Sequence, residues 1–414
     1  MTRTRGGALM VAGIVLLALN LRPVAGSVGP VLDDLRADLG LGAGGAGLLT
    51  SLPVLAFASV GALAPRLAAR VGRHRLTALA LLVVALGALL RATVDTAPAF
   101  LAWSFVALGG MAAANVVLPS LVKQHFPDRV GPLTAVYSTG LAIGVTAAAA
   151  LTVPVADTAG GADGWREGLG IWGLLALLAL APWLWLARLD GRGAPAQAAG
   201  GGEAGAAVPL GAIASTRTGW LMAVTFGLQA LQAYAIFGWV PAVYRDAGYT
   251  DAQAGGYMGL VTGISIPLSL LVPLATARWY DLRPLMLGLT VCYPIAYSGL
   301  AFAPTAAPVV WALVVGAATC TFPLILTLIG LRARTPGGTA ALSGFTQSVG
   351  YLIASIGPFG VGVLHDATGG WQVPLMVLSV LAVPLALGSV ALSRPRHVED
   401  ELPAAVGAGV TGSG

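Results

Sequence analysis

About twelve apolar stretches, each of ~20 residues or more, follow one another along this 414-residue chain. A stretch of that length can cross the hydrocarbon core of a bilayer as a helix. Only helices and closed barrels satisfy all their backbone hydrogen bonds in lipid, and these stretches are continuously apolar rather than alternating. The sequence therefore predicts an all-α membrane protein. The predicted spans are residues 6–32, 43–65, 76–94, 98–122, 132–156, 168–187, 218–244, 253–277, 284–303, 307–331, 339–364 and 371–393.

The composition excludes a water-soluble fold, because 57% of the residues are hydrophobic and 9% are charged, against about 25% charged in soluble domains. The two cysteines, Cys292 and Cys320, each lie within a predicted span and favour apolar packing. We expect no metal site and no cofactor. The first 26 residues resemble a secretory signal, but Arg22, Pro23 and eleven further spans favour a retained first helix.

Basic residues outside the spans fall mostly on one side of the predicted topology. That bias indicates a multi-pass protein of the cytoplasmic membrane with both termini in the cytoplasm. The net charge of +5 then reports topology, and we expect no nucleic-acid partner. The basic residues expected outside are only Arg36, Arg91, Arg166 and Arg245.

The chain divides into two halves of six spans. Residues 1–187 form a predicted amino-terminal six-helix bundle and residues 218–393 a carboxy-terminal one. The glycine-rich segment 188–217 between them is expected to be a flexible cytoplasmic linker. Residues 394–414 are rich in small and acidic residues and are expected to be a disordered cytoplasmic tail.

The two halves also echo each other in sequence. Without a gap, Ala46–Arg75 aligns with Ala254–Arg283 and superposes Pro65 on Pro273. Two pseudo-symmetric bundles that rock about a site near the midplane are the architecture of many secondary transporters.

This organisation resembles the major facilitator superfamily. Within it, Leu19–Pro30 (LNLRPVAGSVGP), Asp34–Arg36 and Ala46–Pro53 (AGLLTSLP) resemble the cyanate permease and 2-nitroimidazole transporter family. The resemblance implies the twelve-helix fold of that superfamily and, as candidate cargo, cyanate-like anions or nitroimidazoles.

Arg22 lies about halfway along the first apolar stretch and is the main candidate for binding substrate. An arginine at the centre of a membrane helix costs roughly 3 kcal/mol, so it should face a watery cavity or a partner. Pro23 should kink the helix at this point. On a helix Ala18, Arg22 and Gly26 share one face, a small-residue surface that is predicted to line a narrow cavity. The alternative is an arginine that bonds only to backbone carbonyls.

Polar residues deep in other spans are possible companions of Arg22, and each is also a candidate for simple packing between helices. Together with Arg22 they would form a hydrogen-bonding cavity with one positive charge. These predicted substrate-binding residues are Asn115, Tyr137, Gln229, Gln232, Trp239, Gln347 and Tyr351. Asn20 points away from Arg22 and is expected to bond to a neighbouring helix.

The loop between spans two and three resembles the basic loop of the superfamily, but Pro65 and Ala69 replace its usual glycine and aspartate. The gating role that the superfamily attributes to that aspartate is therefore open, and the arginines also serve as ordinary topology signals. The predicted gating residues are Pro23, Arg70, Gly72 and Arg73, and Arg278, Asp281 and Arg283 in the second half.

These features predict a transporter of a small anion or small polar organic solute, acting as a monomer in the bilayer and anchored on Arg22. No aspartate or glutamate lies deep in a predicted span. The runner-up is export of drugs or metabolites through a large aromatic cavity with Tyr234, Trp239 and Phe345. A transport-dead receptor is a third interpretation. A membrane enzyme is disfavoured, because the four histidines show no zinc-binding spacing.

Overall fold

The computed structural model describes residues 3–41, 43–160, 163–190, 208–276, 278–279 and 281–402. These residues are almost entirely helical. The α-helices, in chain order, are Arg3–Leu21, Pro23–Gly26, Leu32–Leu39, Ala43–Ala56, Ala62–Val71, Arg73–Arg91, Ala97–His125, Val130–Ala159, Trp165–Asp190, Leu210–Ala214, Arg217–Asp246, Asp251–Ala275, Arg283–Phe302, Pro308–Thr319, Thr321–Leu331, Pro336–Ala354, Ile356–Thr368 and Gln372–Ser393.

These helices combine into twelve segments that are long and apolar enough to cross a membrane, which confirms the predicted number. We number them span 1 to span 12. The start of span 1 and the end of span 12 lie on the same side of the molecule. We call this side the termini side. The spans are Gly7–Val31, Ser51–Val71, Arg73–Arg91, Ala97–His125, Pro127–Thr158, Trp165–Arg188, Arg217–Asp246, Gln253–Ala275, Arg283–Phe302, Pro308–Leu331, Pro336–Thr368 and Gln372–Ser393.

Span 1 is interrupted at Arg22, where one helix ends at Leu21 and the next begins at Pro23. The predicted kink is therefore confirmed. Pro23 has no amide hydrogen to donate to the carbonyl of Leu19, four residues earlier. A Cβ atom at Gly144 of span 5 would clash with that carbonyl oxygen, so the glycine lets span 5 approach the break closely.

Three other spans are interrupted near their middle. Span 2 contains one turn of π-helix at Phe57–Gly61, and such turns often mark functional sites. Span 10 breaks at Cys320 between two α-helices, and span 11 breaks at Ser355. Two interrupted spans thus come from each half of the chain.

The small-residue face of span 1 packs against span 5. A Cβ at Gly140 would come within 2.9 Å of the Ala18 side chain, and one at Gly26 within 2.9 Å of Val145. The prediction that Ala18 and Gly26 line a cavity is therefore wrong, because close packing of the helices uses that surface. Asn20 also differs from expectation, since its amide donates to the Leu16 carbonyl of its own helix at 2.8 Å.

The two halves are held together on the termini side. Span 11 presses on span 2, where a Cβ at Gly344 would lie 2.6 Å from Pro65. Span 10 presses on span 5, where a Cβ at Gly330 would lie 2.7 Å from Val130. The second helix of span 11, Ile356–Thr368, packs instead on spans 7 and 12 of its own half. The described state is therefore closed toward the termini side.

The predicted linker and tail are described only in part. Positions 191–207 of the linker and 403–414 of the tail lie outside the described residues. Residues 394–402 are ordered, contrary to expectation, because Val398–Glu401 forms a 3-10 helix with Glu399 buried. The Glu399 carboxylate accepts hydrogen bonds from the backbone amides of Arg334 and Thr335 at 2.9–3.0 Å, at the start of span 11.

Candidate functional site

Arg22 of the amino-terminal half faces aromatic side chains of the carboxy-terminal half. Its guanidinium carbon lies 5.3 Å from the centre of the Phe322 ring, at the break in span 10. It also interacts with the hydroxyl groups of Tyr234 and Tyr351. The Arg22 side chain is half-buried, so it lies at the meeting surface of the two bundles rather than inside either one.

Tyr351 joins the same place from span 11. The centre of the Tyr351 ring lies 4.1 Å from the centre of the Phe57 ring and 6.2 Å from the centre of the Tyr234 ring. Phe57 lies at the start of the π-helical turn of span 2. One turn before Tyr351, the Ser348 hydroxyl donates to the Phe57 carbonyl at 2.9 Å. Arg22, Phe57, Tyr234, Phe322 and Tyr351 are named the central cluster below.

The central cluster carries one formal positive charge. Within the described part of the chain, no carboxylate pairs with Arg22. Cation–π contact with Phe322 and the nearby hydroxyl groups of Tyr234 and Tyr351 stabilise the guanidinium in part. A desolvated cation without an anionic partner remains costly, so the cluster is suited to a ligand that brings negative charge or a strong acceptor.

A second arginine, Arg91, is fully buried, although the sequence placed it among the outer loop charges. It donates to the Val24 carbonyl at 2.9 Å and to the Ser27 hydroxyl at 3.2 Å. Both acceptors follow the break in span 1, so Arg91 fixes the segment that carries Arg22. Its position at the end of an apolar run made it look like a loop residue.

Gln229 is buried with both amide atoms lacking a hydrogen-bond partner among the described residues. The hydroxyl of Tyr293 is also buried, and it lies near the side chains of Gln229 and Thr321. Thr321 adjoins Phe322 at the break in span 10. The substrate-binding role of Gln229 remains a prediction.

Two predicted site residues are engaged in packing within the carboxy-terminal half. The Gln232 amide donates to the Leu378 carbonyl and accepts from the Tyr297 hydroxyl, both at 2.8 Å. The Trp239 indole donates to the Pro358 carbonyl at 2.8 Å, and its ring centre lies 5.6 Å from that of Trp371. These contacts engage the polar groups that were expected to meet substrate, and the substrate-binding role of both residues remains a prediction.

Of the predicted companions, Tyr351 interacts with Arg22. Asn115 donates to the Met111 carbonyl of its own helix at 3.1 Å, and Gln347 donates to Ser343 of its own helix at 2.8 Å. Tyr137 is buried with no hydrogen-bond partner among the described residues. Phe57 and Phe322 were missed, because an aromatic residue inside an apolar run gives no signal.

Pro23 lies at the break in span 1, and the other predicted gating residues lie in or next to the loops on the termini side. Gly72 has a φ of +91°, a conformation that favours glycine, between spans 2 and 3. Arg73 donates to Gln124 of span 4 at 3.2 Å. Asp281 accepts from the Arg283 amide at 2.9 Å. Arg70 and Arg278 are exposed. These contacts are local, and gating by these residues remains a prediction.

Two bundles that meet at a charged cluster, formed where four spans are interrupted, are typical of membrane transporters. The protein belongs to the Major Facilitator Superfamily, whose family model matches residues 14–358. This finding confirms the resemblance seen in the sequence, and both the family and the relatives below are transporters.

Two relatives from Escherichia coli (strain K12) match most of the chain. The 2-nitroimidazole transporter is 34% identical over 94% of this chain and 96% of its own. The cyanate transport protein CynX is 30% identical over 87% of this chain and 91% of its own. The solved structure of the proton:xylose symporter XylE, bound to 6-bromo-6-deoxy-D-glucose, is similar with a TM-score of 0.74 and 14% identity, covering 93% of this chain and 95% of XylE. The XylE likeness confirms the fold.

Proposed function

We propose that this protein transports a small anion or small polar organic solute, cyanate-like or nitroimidazole-like, across the cytoplasmic membrane by alternating access. The observation that carries the proposal is the position of Arg22. Its guanidinium interacts with Phe322, Tyr234 and Tyr351 of the opposite half, with no carboxylate partner in the described chain. The names of the two relatives, a cyanate transport protein and a 2-nitroimidazole transporter, agree with this substrate class.

The chemistry of the central cluster fits a compact planar solute. A guanidinium presents a flat fork of donors to an anion or to a nitro group, and the hydroxyls of Tyr234 and Tyr351 can donate to the same acceptor. The rings of Phe57 and Phe322 offer apolar faces on which a planar molecule can stack. Neutral and anionic candidates therefore share one set of binding groups.

Binding at this place would couple the solute to the conformational change. Arg22 belongs to one half and the tyrosines belong to the other, so a bound anion would attract both halves at once. It would also neutralise the half-buried guanidinium, which lowers the cost of closing the site away from water. With both termini in the cytoplasm, as we propose, the described state is closed toward the cytoplasm.

Counterflow in liposomes containing the purified protein tests the proposal. We expect uptake of labelled cyanate or 2-nitroimidazole to fall to background in Arg22→Ala and to recover in part in Arg22→Lys, which keeps the charge but not the flat donor fork. Arg66→Ala, at an exposed residue on the termini side, is the matched control. Unchanged counterflow in Arg22→Ala would remove the basis for the proposal.

The same assay separates the alternative of drug or metabolite export. Of the three aromatic residues expected to line a large export cavity, only Tyr234 lies in the central cluster. Trp239 packs near Trp371, and Phe345 packs on Trp220 with ring centres 5.3 Å apart. A panel of larger neutral drugs should therefore give little counterflow. Repeating the assay with an imposed pH gradient shows whether protons drive transport.

A further inference from the structure

A basic pocket lies on the termini side of the carboxy-terminal half, away from the central cluster. It is a cavity of about 220 Å³ between the start of span 7 and the end of span 12. Arg217, Arg332, Arg394 and Arg396 line it together with one carboxylate, Glu401. We propose that this pocket binds the phosphate headgroup of an anionic phospholipid, such as phosphatidylglycerol.

The arginines of the pocket are available to a ligand. Within the described chain, no ion pair or side-chain hydrogen bond engages Arg217, Arg394 or Arg396, and all three are exposed. Buried Arg332 forms the floor, where it is held by bonds of 2.9 and 3.0 Å to the carbonyls of Leu392 and Ser393. Guanidinium groups around a cavity match the charge and geometry of a phosphate.

The single carboxylate does not cancel this charge. Glu401 accepts from the backbone amide of Thr218 at 2.8 Å and from its hydroxyl at 2.7 Å. Both of its oxygens are thereby engaged at the start of span 7. Four guanidinium groups and one carboxylate leave a formal charge of +3 in the pocket.

The apolar wall of the pocket distinguishes a lipid from a free phosphate. Leu221 of span 7 and Leu387 of span 12 line the cavity, and the Leu387 side chain is 67% exposed. Val383 and Val380 continue the exposed apolar stripe along span 12 toward the middle of the membrane. An acyl chain could lie along this stripe while the headgroup stays among the arginines. Basic pockets at the ends of membrane helices bind anionic headgroups in this way.

Titration of lipids into the purified full-length protein in neutral detergent, followed by native mass spectrometry, tests the proposal. We expect phosphatidylglycerol to bind roughly tenfold or more tightly than phosphatidylcholine. The variant Arg217→Gln, Arg394→Gln, Arg396→Gln should lose most of that preference. The matched control Arg66→Gln, Arg75→Gln, Arg129→Gln removes the same charge from exposed residues on the termini side of the other half and should keep it.

Competition with soluble anions identifies the source of the phosphate. Displacement of phosphatidylglycerol by millimolar inorganic phosphate or glycerol 3-phosphate would show a site for free phosphate and overturn the lipid assignment. Equal loss of lipid binding in the two triple variants would overturn it as well, because general surface charge would then explain the preference. The wild-type comparison of phosphatidylglycerol with phosphatidylcholine needs no variant, so equal binding of the two also contradicts the proposal if a variant fails to fold.

Discussion

The guanidinium of Arg22 lies over the ring of Phe322, 5.3 Å from its centre, and this contact joins the two halves of the molecule. Each residue lies at an interruption of its span, Arg22 next to Pro23 and Phe322 next to Pro323. Interrupted helices at the interface of two repeats are where transporters commonly bind their substrates. The contact therefore locates the proposed site and places one binding group on each moving part.

Removal of either tyrosine hydroxyl from the central cluster should weaken substrate binding. A hydrogen bond that involves a charged group contributes about 1.5–3 kcal/mol, so Tyr351→Phe and Tyr234→Phe should each raise the apparent Kd about tenfold. Substrate-dependent thermal stabilisation of the purified protein measures this effect. The control is Tyr244→Phe, whose hydroxyl donates to the Pro308 carbonyl instead. It should leave affinity unchanged, and equal losses in all three variants would contradict the prediction.

The sequence predicted the helices well and the contacts between them poorly. The length of each apolar run predicts a span, and Pro23 after Arg22 predicts the break in span 1. Other prolines, such as Pro53 and Pro119, lie inside continuous helices, so a proline alone does not predict a break. The partners of a side chain depend on how spans rotate and tilt against each other, and a nearly uniform apolar pattern does not record this rotation. The sequence therefore contained no sign that Gln232 bonds to Leu378 and Tyr297, or that Trp239 bonds to Pro358.

Arg91 shows the same limit for charged residues. At the end of an apolar run, a buried arginine and a loop arginine look alike in sequence. The structure separates them through the acceptors Val24 and Ser27, which become available where span 1 is broken. Phe57 and Phe322 were missed because their role depends on the opposite half, which lies hundreds of residues away along the chain.

A larger residue at Gly344 should open the termini side. A Cβ there would lie 2.6 Å from Pro65, and overpacking of this kind costs about 1–3 kcal/mol. Because that cost falls on the closed state, Gly344→Ala should raise the open population roughly fivefold or more. Gly360→Ala, also in span 11 but with no atom near its Cβ, is the control.

Distances between spin labels at Arg66→Cys and Gly337→Cys, at the termini-side ends of spans 2 and 11, report this opening. The two native cysteines, Cys292 and Cys320, are free and should first be replaced by alanine. We expect Gly344→Ala to add a population at longer distance. An unchanged distance distribution would show that the contact with Pro65 does not hold the closed state.

Loss of Arg91 should destabilise the protein and disturb the site. Arg91→Ala leaves a cavity and removes the donor to the Val24 carbonyl, which together cost roughly 2–4 kcal/mol. The Tm in detergent should fall clearly, whereas Arg75→Ala, exposed on the same span, should change it little. Since Val24 follows Arg22 by two residues, substrate affinity should fall too. A variant with normal Tm and normal affinity would contradict the positioning role.

Residues 394–402 of the tail, which contact the start of span 11, should become less stably folded in acid. The Asp400 carboxylate forms a bidentate pair with Arg334, which lowers the pKa of Asp400. A lowered carboxyl pKa stabilises the folded state above the unfolded value of about 3.9 and loses that effect as the pH falls through the folded value. Burial, reinforced by Arg334, lowers the pKa of His397. On acidification, His397 of the unfolded tail therefore takes up a proton before His397 of the folded tail does. The stability of the folded tail begins to fall once the pH drops below the unfolded histidine pKa of about 6.5.

Hydrogen exchange of the amides at residues 398–402 measures this loosening. Protection should fall in two steps on acidification, the first just below pH ~6.5 from His397 and the second below pH ~4 from Asp400. His397→Gln should abolish the first step and keep the second, because glutamine does not titrate. Asp400→Asn should keep the first step and abolish the second. Its protection at neutral pH should also be lower, because the ion pair with Arg334 is lost. Protection that is constant from pH ~7 to pH ~5 in the wild type would contradict the assignment to His397.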